Sequence, residues 1–156
     1  MTDALDIKGN LVIQKISTNE QIIETIHAHN NIVTTGRYLV AQRFIQTDVG
    51  TISYFAVGTG SSPVLPDEIK LNQENFRKKL PDLNIRNLEK ITRQNREERI
   101  KLSIKADLET GEANGALTEA ALFTAEPNSI MYNRVVFESI EKTKDFKLTL
   151  VWEILF

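Results

Sequence analysis

Apolar and polar positions alternate along much of this chain with a period of two, the pattern of half-buried β-strands. The clearest run is the last. Phe146, Leu148, Leu150, Trp152, Ile154 and Phe156 share one face, and Lys147, Thr149 and Glu153 take the other. Its end, Trp152–Phe156, is apolar on both faces, as in a central strand or a strand that meets a neighbouring subunit. Ile100, Leu102, Ile104, Ala106 and Leu108 likewise alternate with Lys101, Ser103, Lys105 and Asp107. Shorter strand candidates are Leu11–Ile16, Ile22–Ile26, Ile52–Val57, Leu117–Thr124 and Ile130–Phe137, separated by turns such as Ser17–Asn19, Thr110–Gly115, Ala125–Asn128 and Glu141–Lys144. Residues 67–80 read as a loop or a short helical turn, pinned to a core by Leu71, Phe76 and Leu80.

One segment has the helical period instead. In Arg37–Ile45, the residues Val40, Ala41, Phe44 and Ile45 form one apolar stripe, and a preceding Thr34 or Thr35 is placed to cap it. The helix should end before Asp48-Val49-Gly50. Many short strands and one helix predict a mainly β fold: an antiparallel β-sandwich (or barrel) with one packed α-helix and an N-terminal hairpin. The chain reads as a single structural domain, 1–156, with the hairpin in 1–29 and the helix plus sandwich in 30–156.

Composition narrows the chemistry. The 156 residues suffice for one core but make two small ones. Lys plus Arg number 19 against 21 Asp plus Glu, a net charge of −2 that gives no general hold on a phosphate backbone, so no nucleic-acid partner is expected. The absence of cysteine excludes thiolate nucleophiles, disulfides and cysteine metal sites. The sequence has neither a secretory signal pattern nor an apolar run of the roughly 20 residues that a membrane helix needs, so membrane insertion is not expected. Between Asn84 and Lys101 six cations face three anions, a local excess of +3 that reads as a solvated pair of strands before it reads as a contact for an acidic partner.

Candidate sites are few. His27 and His29 are the only histidines, and on a strand they would share a face. Two imidazoles make half a metal site unless a trimer brings six together, so they are the only metal candidates and no cofactor is expected. Gly58-Thr59-Gly60-Ser61-Ser62-Pro63 follows a strand as a phosphate loop would, but no Lys-Ser/Thr pair follows, and Pro63 and Pro66 interrupt any helix start. Glu119 with Glu97 or Glu98 could form an acid–base pair, though no spacing fixes one. No catalytic residue is assigned, and the chain is read as non-enzymatic. Trp152 falls on the core face, away from any sugar platform.

The order of several short motifs carries a resemblance. Asn31–Val40, then Ile52 through Ala56-Val57-Gly58-Thr59-Gly60, then Glu74-Asn75-Phe76-Arg77-Lys78, resembles bacteriophage tail-fibre and baseplate-associated proteins. Leu117-Thr118-Glu119-Ala120-Ala121-Leu122-Phe123 is similar to a strand of that family in which glycine usually stands where Ala121 does. Met131–Phe137, Ile140 with Lys142-Thr143, and Leu148–Ile154 complete the series. The resemblance spans residues 30–80 and 113–156. It implies a structural subunit of a phage tail or a phage tail-like contractile injection system, associated with the baseplate or fibre. Such a subunit would assemble in the cytoplasm and then form part of a virion or injection particle. It would act as a homo-oligomer, threefold or sixfold, docked on other tail, sheath or baseplate proteins. A cap or adaptor at the other end of the tail, or a carbohydrate-binding module, are the alternatives.

Overall fold

A computed structural model describes residues 7–156 of the chain; residues 1–6 of the segment read as the hairpin region lie outside the described residues. The strands are β1 (Lys8–Ser17), β2 (Ile22–His29), β3 (Asn31–Ile32), β4 (Ile52–Gly58), β5 (Glu74–Lys79), β6 (Leu88–Thr92), β7 (Glu98–Leu108), β8 (Gly115–Thr124), β9 (Asn133–Lys142) and β10 (Phe146–Leu155). One helix, α1, spans Thr34–Gln42, and a 3₁₀ turn covers Ile85–Asn87. The strands form two antiparallel five-stranded sheets, ordered β2-β1-β10-β7-β6 and β3-β9-β8-β4-β5. The expected mainly β, antiparallel sandwich with one helix is the architecture found.

The alternation read from the sequence sets the core. Leu148, Leu150, Trp152 and Ile154 of β10 meet Ile104, Ala106 and Leu108 of β7 and Leu11 and Ile13 of β1 on the inner face of the first sheet. Phe55, Val57, Leu117, Ala120, Leu122, Val135 and Phe137 supply the second sheet's side. The Phe55 and Trp152 rings lie 6.2 Å apart across the sandwich, tilted by 58°. β10 sits between β1 and β7, so its doubly apolar end belongs to a central strand.

β8 departs from simple alternation. Its run from Glu119 to Thr124 is buried on both faces. The outer face of the second sheet holds a smaller core of Val33, Ala56, Leu71, Ala121, Phe123 and Met131. Ala121 faces Ala56 in register within this outer core. The segment after β4 folds back over the sheet to cover it.

Several local expectations are corrected. α1 starts at Thr34 and ends at Gln42, earlier than the stripe predicted. Its N-cap residue is Val33, with no side-chain cap bond; the Thr35 hydroxyl instead donates to the Met131 carbonyl at 2.7 Å. Tertiary bonding thus takes the hydroxyl that local capping would have used. Phe44 and Ile45 lie beyond the helix and outside the core, at 86% and 82% exposure. Glu74–Lys79 is a strand rather than a loop or helical turn, because pairing with β4 from Tyr54↔Lys79 to Gly58↔Glu74 supplies an order that polar side chains do not signal. β9 begins at Asn133, three residues after the expected Ile130, and extends to Lys142, into the expected turn. Met131 contributes only an isolated bridge to Phe123.

The charged stretch of residues 84–101 spans β6 and the start of β7, which pair at the edge of the first sheet. Glu89 lies opposite Lys101 at 2.9 Å, Lys90 pairs with Glu98 at 2.8 Å, and Arg99 pairs with Glu97. These glutamates partner three of the six cations of this stretch.

Candidate functional site

A single buried ion pair organises the outer side of the second sheet. Glu119 projects from β8 and Arg134 from β9, and both are fully buried. Arg134 Nε donates to Glu119 Oε2 at 2.7 Å. Three backbone amides complete the carboxylate's shell: Gly60 at 2.9 Å, Gln73 at 2.7 Å and Asn72 at 3.1 Å. The guanidinium's other nitrogens reach the Ser62 carbonyl at 3.0 Å, Glu68 at 3.2 Å and the Asn72 side-chain oxygen at 2.9 Å. Ser62 donates to the same Asn72 oxygen. The Thr118 hydroxyl donates to the Gly60 carbonyl at 2.8 Å.

The glycines follow from this geometry. A Cβ on Gly60 would stand 2.4 Å from the Asn72 Cβ and 2.5 Å from the Glu119 carboxylate. One on Gly58 would stand 2.2 Å from the Gln73 carbonyl oxygen. The glycine loop therefore cradles an anion, but the anion is the protein's own glutamate. Burial pushes the Glu119 carboxyl upward, yet the amide of Gln73, the Arg134 guanidinium and the amides of Asn72 and Gly60 together outweigh it and hold the group below its ordinary value. With its oxygens engaged and no exposure, Glu119 is a structural anion. Glu97 and Glu98 lie at the β6–β7 end of the first sheet, paired with Arg99 and Lys90, and are not brought to it.

A second buried cation closes the far end of β9. Lys142 Nζ donates to the carbonyls of Glu109, Thr110 and Thr143 at 2.9, 3.2 and 3.0 Å and to the Asn114 side chain at 3.1 Å. Desolvation lowers its pKa, and Glu112 and Glu109 oppose that shift. Arg134 and Lys142 stand in the sequence motifs but are not marked there as site residues. The available signal was a cation set within apolar strand residues, Asn133-Arg134-Val135-Val136-Phe137, next to a strand carrying a lone glutamate.

His27 and His29 lie on β2, an edge strand, and both are exposed on one face, opposite Val12 and Asn10 of β1. Among the described residues no group of three or more His, Asp or Glu side chains could hold a metal ion. Trp152 is fully buried and offers no face to a sugar. No helix of the described residues is long and apolar enough to cross a membrane.

Several large apolar side chains also stand on the surface. Tyr38 on α1 is 66% exposed, and Phe44 and Ile45 follow within eight residues of chain, all large side chains in water. Leu65 and Ile69, on the segment that closes over the ion pair, are also exposed. That segment is tied to α1 by a bond from the Thr34 amide to the Pro66 carbonyl at 2.7 Å. No family model matches this chain, and no match is found among curated proteins or solved structures.

Proposed function

We propose that this protein is a structural subunit of a phage tail or a phage tail-like contractile injection system, placed at the baseplate or fibre and acting by oligomeric assembly. The observation that carries the reading is the run of exposed large apolar side chains, Tyr38, Phe44 and Ile45, on and just after α1. Exposed apolar clusters of this kind mark association surfaces. The motifs that carry the resemblance support the same reading. Gly58-Thr59-Gly60, Glu119 and Arg134, which stand in those motifs, are the residues of the buried ion pair and its cradle, which tie the loop after β4 to β8 and β9. A rigid tile with an apolar shoulder suits repeated contacts among copies and with sheath, tube or baseplate proteins.

Light scattering and electron microscopy of the purified chain, alone and mixed with tail components, test the reading. Threefold or sixfold assemblies, or stable complexes with a tail protein, support it. A strict monomer that binds none of them overturns it. A map of the intact particle separates the baseplate position from a cap or adaptor at the opposite end.

A further inference from the structure

A cleft of about 540 Å³ opens where α1 and the segments before β4 and after β5 meet β6, β7 and β10. This volume falls in the range of small-molecule sites, roughly 300–1,000 Å³. One wall is the inner face of the first sheet, with Leu88, Leu102 and Ile104; α1 contributes Leu39 to the lining. Tyr132 also lines it, and three features of this residue matter.

Its side chain is 3% exposed. Its hydroxyl has no hydrogen-bond partner among the described residues. Burial raises its pKa to about 12, against a smaller opposing effect of Arg37, so it stays a protonated donor. Buried hydroxyls ordinarily have partners, and a donor that lacks one inside an apolar cleft fits an acceptor brought by a ligand. The mouth carries charge. Arg43 and Lys79 are exposed there, neither in an ion pair among the described residues, against one acid, Asp82.

We infer that this cleft binds a small amphiphilic anion, an apolar chain or ring ending in a carboxylate, whose head accepts from the Tyr132 hydroxyl, whose charge meets Arg43 of the same lining, and whose body lies along Leu88 and Leu102. The apolar wall supplies the contact area, the tyrosine fixes the head, and the cationic rim selects its sign. This site is independent of the assembly surface, since the large exposed residues Tyr38, Phe44 and Ile45 do not line the cleft.

Calorimetric titration of the full chain with decanoate, and with decyltrimethylammonium as the matched cation, tests the inference. Decanoate should saturate one site per chain, and the cation should bind at least about tenfold more weakly. Tyr132→Phe should weaken decanoate about fivefold, the loss of one hydrogen bond. It should not lower the melting temperature, because the removed hydroxyl bonds to nothing in the free protein. Leu88→Trp, at a half-exposed position that tolerates bulk, should block binding while the fold persists. The inference fails if decanoate shows no saturable binding, if the cation binds equally well, or if Tyr132→Phe and Leu88→Trp bind decanoate like the parent protein.

Discussion

At the scale of single residues, Glu119 and Arg134 hold the most free energy at risk. A buried ion pair stabilises modestly as a pair, but removing one partner strands the other charge, at a cost of about 3–5 kcal/mol. Glu119→Gln keeps the volume yet turns an amide donor toward a ring of N–H donors, so urea unfolding should show a loss of that size. The acid response follows from the same group. Its folded pKa is depressed, so its contribution is complete above the unfolded carboxylate value of roughly 4.3 and fades as pH falls through the folded value. The unfolding midpoint of the parent protein should therefore drop on acidification below about pH 4, and its lead over Glu119→Gln should shrink in the same window. The sequence marked Glu119 as a carboxylate worth weighing and marked the glycine loop as a place where amides could hold an anion. It could not join the two, because Gly60 and Glu119 are 59 positions apart and only the β4–β8 pairing brings them together.

At the scale of elements, what was legible tracked how far each segment depends on its own side chains. β7 from Ile104 to Leu108 and β10 from Phe146 to Ile154 bury the apolar positions that the pattern puts inside, while Ile100 is 41% exposed and Thr149, on the polar face, is buried. β5 has Glu, Asn, Arg and two Lys in six residues and is a strand only because β4 offers it a ladder. α1 was found by period, but its ends were set elsewhere. Gly36 packs so closely on the neighbouring chain that an added Cβ would stand 1.9 Å from the Tyr132 carbonyl oxygen. Gly36→Ala must lift the helix off β9's leading residues. Overpacking of this kind costs about 1–3 kcal/mol, and hydrogen exchange of the α1 amides should quicken more than that of β7 or β10. A β-carbon here meets backbone, which cannot rotate away as a side chain could.

At the scale of the whole molecule, stability and association should separate. Phe44 and Ile45 contribute little to the core, so Phe44→Ser with Ile45→Ser should leave the urea midpoint within about 0.5 kcal/mol of the parent protein per substitution. The same pair of changes should abolish higher assemblies in light scattering if the apolar shoulder is the contact. Unchanged assembly would move the interface elsewhere on the tile. One feature of the topology reaches further. β10 is the last of the ten strands in chain order, yet it stands at the centre of the first sheet, with β1–β2 on one side and β7–β6 on the other. Register partners such as Lys8 and Leu155 come from nearly opposite ends of the sequence. During translation the two flanking hairpins must therefore wait as separate ribbons, and the sheet is sealed only after β10 has emerged from the ribosome. Such distant closure is slow, and until it happens the inner edges of β1 and β7 stand open to strands of neighbouring nascent chains.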